Sequence, residues 1–144
     1  MKIRSEDLYF ADDGLAMHLG TPFSGTAESF DELGGLSSTA DYANGILHGY
    51  TCDYCEGQQV LRDGYYCQGQ SHGWYRFFDE DGALVEKQCY DHAILVERQL
   101  ISSDGSAVKT YDIASEPERV EMQRKIHLYL IATKHECLER QCHE

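Results

Sequence analysis

Cysteine and histidine are the residue types in this 144-residue chain that could bind a metal or supply a nucleophile and its base. Cys52 and Cys55 form a Cys-x-x-Cys pair, followed by Cys67 and His72, and zinc accepts all four side chains as ligands. The pair falls in a segment predicted to be a strand, where residues three apart point to opposite faces. The sequence therefore predicts no metal, with Cys52, Cys55, Cys67 and His72 as the alternative zinc site.

Nucleophilic catalysis is the second chemistry that these residue types suggest. Seven histidines and six cysteines make some Cys/His proximity expected by chance, and no strand-to-helix elbow presents a thiol. His48 and His72 each precede a regularly spaced glycine, which favours a role in a structural repeat. We expect no catalytic residue, no enzymatic activity and no cofactor. The cysteines are too few for a disulfide scaffold, so we expect reduced thiols.

The charge of the chain excludes several classes of partner. Lys and Arg number 12 against 25 Asp and Glu, a formal net charge of −13. Nucleic acids and anionic lipid surfaces both attract basic proteins, so neither is an expected partner. No segment has the form of a signal peptide or the roughly 20 apolar residues of a membrane span, and this favours a cytoplasmic protein.

A repeat of 24 residues organises the chain and must position any site. Constant spacing of structurally demanding residue types indicates an array of similar units. Three columns recur at this spacing: Tyr42, Tyr66 and Tyr90; Gly25, Gly49 and Gly73; Phe30, Tyr54 and Phe78.

Two turn signals in each unit predict consecutive hairpins. Asn-Gly is the strongest short hairpin signal, because both central residues of a type I′ turn need positive φ. The segments between the turns are short and rich in β-branched and aromatic residues, and 51–55, 60–66, 74–78, 84–90 and 94–101 are predicted strands. The first series of turns is Asn44-Gly45, Gln68-Gly69 and Asp91-His92; the second is Asp13-Gly14, Gly34-Gly35, Glu56-Gly57, Asp81-Gly82 and Asp104-Gly105.

The sequence thus predicts a mainly β fold in one domain, 1–144. Residues from about 9 to 113 form a repetitive antiparallel β-meander, and 115–140 form a C-terminal α-helix. Ser115 and Pro117 have the residue types of a helix start. An apolar stripe at spacings of three and four should pack on the sheet; it comprises Met122, Ile126, Tyr129, Leu130, Thr133 and Cys137.

Two stretches of the chain resemble a known family, the MORN repeats. The first is Tyr42-Ala-Asn-Gly-Ile-Leu-His-Gly-Tyr50. The second is Tyr66-Cys-Gln-Gly-Gln-Ser-His-Gly-Trp74, which continues as Tyr-Arg-Phe-Phe78-Asp-Glu-Asp-Gly-Ala-Leu-Val85. The pattern is most similar to the bacterial variant found in antitoxin proteins of the YwqK type. The resemblance implies an elongated single-layer sheet that serves as a docking surface, sometimes for a toxin. It is strongest over 42–90 and absent from the predicted helix.

Two surfaces of the predicted meander could bind a partner. Alternate turns fall on the same edge, so Asp12 and Asp13 should line one edge together with a longer row of carboxylates. Most of the aromatic side chains are expected to be core, and four that share a face form the alternative surface: Tyr50, Tyr54, Trp74 and Phe78. The row, hereafter the acidic edge, comprises Asp31, Glu32, Glu56, Asp79, Glu80, Asp81 and Asp104.

These features favour a protein-binding module without chemistry. The expected function is that of an immunity or antitoxin protein whose acidic surface occludes a basic toxin or effector. A structural MORN-type scaffold without a toxin partner and a zinc-binding Cys/His protein are the alternatives.

Overall fold

Residues 1–133, the part of the chain that the computed structural model describes, form a long sheet, a small sheet, two short 3-10 turns and one α-helix. The strands are β1 Lys2–Arg4, β2 Tyr9–Phe10, β3 Ala16–His18, β4 Thr21–Pro22, β5 Gly25–Phe30, β6 Leu36–Ala43, β7 Ile46–Tyr54, β8 Val60–Cys67, β9 Gln70–Ser71, β10 Gly73–Phe78, β11 Leu84–Asp91, β12 Ile94–Ile101 and β13 Ala107–Asp112; the helix α1 is Pro117–Ala132. The long sheet has the order β1-β5-β6-β7-β8-β10-β11-β12-β13, with β9 paired to β8, and β2-β3-β4 form the small sheet. All pairings are antiparallel except the one between β1 and β5. The predicted meander with a C-terminal helix is confirmed.

Type I′ turns form one edge of the array. Each has two consecutive residues at positive φ, between 47° and 85°, which matches the right-handed twist of the flanking strands. The predicted turn at Asp91-His92 is wrong by one residue, because Asp91 still pairs with Ile94 as the last residue of β11. The four turns are Leu19-Gly20, Asn44-Gly45, Gln68-Gly69 and His92-Ala93.

Backbone hydrogen bonds join each of three turns to the preceding hairpin. The second turn residue donates its N–H to a carbonyl 22 positions earlier: Gly45 to Phe23, Gly69 to Leu47 and Ala93 to Ser71, each at 2.8 Å. These bonds give the turn N–H groups partners that a free sheet edge would lack. Successive units are therefore linked in the same way along the array.

A column of polar side chains completes this link. The first turn residue donates its N–H to a side chain 20 positions earlier: Asn44 to Ser24 Oγ, Gln68 to His48 Nδ1 and His92 to His72 Nδ1. An imidazole nitrogen that accepts an N–H carries a lone pair, so both histidines hold their ring proton elsewhere. This is the repeat-structural role expected of His48 and His72.

Glycine follows each member of this column, at a position that needs positive φ. Gly49 has φ +114° and Gly73 has φ +95°, which an L-residue with a side chain rarely adopts. A Cβ on Gly49 would also lie 3.0 Å from the Asp41 Cβ. The glycine column is thus set by backbone geometry.

Aromatic rings lie along the sheet without forming a conventional core. Tyr75 packs edge-on between Tyr66 and Tyr90, with ring centroids 6.0 and 5.3 Å away, and it covers Gly64, where a Cβ would meet the ring at 2.7 Å. These rings are half-buried, so the expectation that most aromatics are core is wrong. The buried apolar residues are few and mostly small: Ala16, Phe23, Ala27, Cys52, Cys67, Cys89, Ile94, Ile113 and Leu130.

An ion pair takes the place of apolar packing on the opposite face. Asp63 is 4% exposed and accepts hydrogen bonds from Arg76 Nε at 2.9 Å and from the Tyr50 hydroxyl at 2.6 Å. Burial, together with the bond to Asp63, raises the pKa of Tyr50. Strands β7, β8 and β10 are cross-linked here by polar side chains.

The helix α1 packs through a different face from the one predicted. Leu130 is buried, but Met122 and Tyr129 of the expected stripe are 44% and 67% exposed. Gln123 and His127 face the sheet instead, through bonds to Asp91. The remainder of the predicted helix, including Cys137, lies outside the described residues. No helix within 1–133 has the length and apolar character needed to cross a membrane.

The cysteines differ from the expected set of reduced thiols. Cys67 and Cys89, both buried, are half-cystines, so the expectation that every thiol is reduced is wrong. Cys52 and Cys55 are free, the first buried and the second partly exposed.

Replacing Gly73 with Val should lower the free energy of unfolding by more than about 1 kcal/mol, because Val is strained at positive φ. Urea denaturation measures the change. Ala107→Val, which adds similar bulk on the exposed strand β13, is the control and should change stability little. Equal stability of the Gly73 variant and the wild type would contradict the backbone account of this column.

Alkylation of the unreduced protein should modify Cys55 quickly and the buried Cys52 slowly. Cys67 and Cys89 should be modified only after reduction, because a disulfide sulfur has no thiolate to react. Peptide mass spectrometry reads the result. Rapid labelling of Cys67 or Cys89 in the unfolded, unreduced chain would show that they are thiols.

Candidate functional site

The loops of the predicted acidic edge lie together on the edge opposite the type I′ turns. They connect β5 to β6, β7 to β8, β10 to β11 and β12 to β13. Neighbouring loops are two strands apart, a spacing of about 10 Å. The expectation that Asp12 and Asp13 line this edge is wrong, because they lie in the β2–β3 loop. The small sheet that contains this loop instead meets the turn edge, where the Ala16 N–H donates to the Gly45 carbonyl.

Three aspartates of the acidic edge accept hydrogen bonds from groups of their own loops and so stabilise the loop conformation. Asp31 Oδ1 accepts from the Leu33 and Gly35 amides at 2.9 and 2.8 Å, and Asp79 Oδ1 makes the same pair of bonds in its loop. Asp104 Oδ1 accepts from the Ser106 hydroxyl and amide, and these bonds lower the pKa of Asp104. Turn geometry therefore explains these three residues.

The remaining carboxylates of the acidic edge, Glu32, Glu56, Glu80 and Asp81, are exposed. Within residues 1–133 they lie near no Lys or Arg side chain at ion-pair distance, because most of the cations there bind carboxylates elsewhere. The paired cations are Arg4 with Glu6, Arg62 with Asp53, Arg76 with Asp63, Arg98 with Glu86, Lys109 with Glu97 and Asp112, Arg119 with Glu116, and Arg124 with Glu121.

The alternative aromatic surface is already engaged by the chain itself. Lys87 Nζ lies 4.4 Å from the centroid of the Trp74 ring, and the Arg76 guanidinium lies 5.3 Å from that of Phe78. Tyr50 binds Asp63, and Tyr54 is half-buried. These contacts leave less of the face available to a partner.

A more open aromatic groove lies on the other face and was not predicted. It has a volume of about 360 Å³ and spans β6, β7, β8 and β10. The ion pair between Arg62 and Asp53 is part of its lining. Its aromatic lining comprises Tyr42, Tyr66, Tyr75 and Phe77.

The four residues of the alternative zinc site do not converge. Cys52 is buried within β7, Cys55 bonds within the β7–β8 loop, and Cys67 is a half-cystine. His72 instead lies beside Asp91 and His92. Over residues 1–133, these three form the single group of possible ligands whose donor atoms lie within 4.8 Å of one another.

This His72, Asp91 and His92 group is buried where the end of β11 meets α1. Their residue exposures are 0%, 7% and 2%, and the two imidazole rings are 4.2 Å apart. His92 Nδ1 lies 2.7 Å from Asp91 Oδ1, and His72 Nδ1 lies 3.7 Å from the same oxygen. The two Nδ1 atoms thus face one carboxylate oxygen.

The other carboxylate oxygen binds the helix. Gln123 Nε2 donates to Asp91 Oδ2 at 2.6 Å, and His127 Nε2 contacts the same atom. Burial raises the pKa of Asp91, but the bonds from Gln123 and His92 and the nearby His127 outweigh it and lower that pKa overall. Asp91 is thereby held as a carboxylate that ties α1 to the sheet.

Sequence reasoning missed this group, although the repeat contains a signal for it. Asp91 stands in the column of Ala43 and Cys67, so a charged residue replaces small ones at the last internal turn. Gln123 and His127 are four residues apart and share one face of a helix. Their meeting with Asp91 depends on how α1 docks, which the repeat does not specify.

Comparison of the chain with models of known protein families finds no match, and comparison with curated proteins finds none either.

Asp91→Asn should destabilise the protein by about 1–3 kcal/mol at pH 7, since an amide cannot accept all the bonds of the carboxylate. The lowered pKa of Asp91 contributes stability that is present above its unfolded-state value, about 4, and is lost as the pH falls through the folded-state value. The difference between wild type and variant should therefore shrink below about pH 4. Denaturation at several pH values measures this, with exposed Asp12→Asn as the control. A difference independent of pH would contradict it.

Proposed function

We propose that this protein is a binding module that captures a basic protein partner along its acidic edge. The observation that carries the proposal is the row of carboxylates that form no ion pair within residues 1–133, on loops repeated about every 10 Å along one edge of a sheet. A row of like charges on a rigid frame accelerates encounter with a basic surface and favours one orientation of it. The mechanism is steric and electrostatic.

The class of partner that fits best is a basic toxin or effector, and the protein would act as its immunity protein or antitoxin. The resemblance of 42–90 to MORN repeats of antitoxin proteins supports this assignment. So does the pairing of most described cations with other carboxylates, because within residues 1–133 it leaves the acidic edge without an ion-pair partner. A scaffold role without a toxin is the alternative.

A cytoplasmic location was expected from the sequence, and it remains a prediction. The half-cystines Cys67 and Cys89 count against it, because disulfides persist mainly in oxidising compartments.

Association of the partner with the wild type should slow by roughly tenfold or more as salt rises from about 50 to 500 mM, since exposed charges are then screened. Surface plasmon resonance with the protein encoded by the adjacent reading frame measures this. The double variant Glu80→Lys/Asp81→Lys should slow association at low salt and leave the melting temperature unchanged, because solvated carboxylates add little stability.

Asp12→Lys/Glu118→Lys is the matched control, with the same change of charge at exposed sites outside the acidic edge. Equal slowing by the two variants would show that only net charge matters. If neither variant slows association, the acidic edge is excluded as the binding surface. The groove lined by Tyr42, Tyr66, Tyr75 and Phe77 is then the next candidate surface.

A further inference from the structure

We propose that His72, Asp91 and His92 form a binding site for a divalent transition-metal ion of the zinc type. The ligand atoms are His72 Nδ1, His92 Nδ1 and Asp91 Oδ1. Two imidazoles and one carboxylate are a ligand set that such ions bind readily. This inference is independent of the acidic edge.

Convergence of the three donor atoms is the first support. His72 Nδ1 and His92 Nδ1 lie 3.7 and 2.7 Å from Asp91 Oδ1. Ligand atoms around a tetrahedral zinc ion, with bonds of about 2.0–2.1 Å, are roughly 3.4 Å apart. The donor atoms of the three residues all lie within 4.8 Å of one another, so movements of roughly 1–1.5 Å convert this arrangement into a coordination sphere.

The protonation state of His72 is the second support. Its Nδ1 accepts the His92 backbone N–H at 3.1 Å, so this nitrogen is unprotonated, and metal binding exchanges that hydrogen bond for a bond to the ion. His92 binds metal once its ring proton moves from Nδ1 to Nε2. The ion then replaces the hydrogen bond between His92 and Asp91.

The third support is that hydrogen bonds already hold the carboxylate oxygen of Asp91 that is not a proposed ligand. Gln123 and His127 hold Asp91 Oδ2, which leaves Oδ1 directed towards the two histidines. Hydrogen bonds to the non-ligating oxygen orient a metal-binding carboxylate and tune its affinity. The helix α1 thus acts as the outer layer of the site.

Burial adds a reason for a cation to bind. A carboxylate that is 7% exposed lies against two imidazoles that are almost fully enclosed. Removing a carboxylate from water is costly unless a positive charge or hydrogen bonds compensate. Hydrogen bonds from Gln123, His127 and His92 provide this compensation now, and a divalent ion would take over the part that His92 supplies. Nitrogen ligands select against Mg²⁺ and Ca²⁺, which prefer oxygen.

The repeat supplies a matched control for the test. His48 occupies the same position in the preceding unit and bonds the Gln68 amide through Nδ1, but Cys67 stands where the later unit has Asp91. Asn can replace either histidine as acceptor for the turn amide without offering an imidazole. His72→Asn and His48→Asn therefore make the same structural change, and only the first removes a proposed ligand.

Equilibrium dialysis of untagged, chelator-treated protein against Zn²⁺, with metal quantified by mass spectrometry, tests the proposal. We expect one zinc per chain in the wild type and in His48→Asn, and a loss of affinity of at least tenfold in His72→Asn and in His92→Asn. Zinc should raise the melting temperature of the wild type, whereas Mg²⁺ should not. Absence of zinc binding by the wild type, or equal binding by all variants, would overturn the assignment.

Cobalt provides a readout that does not depend on the variants folding. Co²⁺ bound to the wild type through nitrogen and oxygen should give visible absorption without a thiolate-to-cobalt charge-transfer band. The chain beyond the described residues contains His135, Cys137, Cys142 and His143, all of ligand type. A thiolate band, or loss of zinc in Cys137→Ser/Cys142→Ser but not in His72→Asn, would place the metal elsewhere and refute the site.

Discussion

The amide groups of the type I′ turns must find partners, and the way they do so determines the rest of this structure. Each of the last three turns donates one N–H to a carbonyl 22 residues earlier and one to a side chain 20 residues earlier. These two bonds fix the position of one hairpin on the next. They also account for the polar residue that precedes each column glycine, because its side chain must reach the following turn. The 24-residue spacing is the period at which this arrangement repeats.

A sheet held together in this way does not need a thick apolar core. Its aromatic rings pack sideways along the strands, as Tyr66, Tyr75 and Tyr90 do, and they remain half-exposed. Polar links such as Asp63 with Arg76 cross the other face. The same openness leaves both faces and the acidic edge accessible to other molecules. The helix covers only one corner, where Asp91 meets Gln123 and His127.

The sequence specified what depends on short-range geometry. Turn residues such as Asn44-Gly45 and alternating strand residues predicted the meander, because positive φ and the period of two are local properties. The same reasoning placed Asp91 in a turn, whereas it ends a strand and binds a helix 32 residues away. It also placed the apolar stripe of α1 on the sheet, although Tyr129 faces solvent. Docking of α1 depends on a few buried polar contacts between distant segments, and these leave no periodic signal.

The link between successive hairpins has a consequence for how such a chain changes in length. Each turn depends only on residues of the unit before it, so a whole unit can be duplicated or lost without altering the contacts within its neighbours. Every unit adds two strands, which lengthens the sheet by about 10 Å and adds one more loop to the acidic edge. The length of the array therefore changes in steps of fixed size. Relatives of different length would present the same spacing of charge over a longer or shorter span.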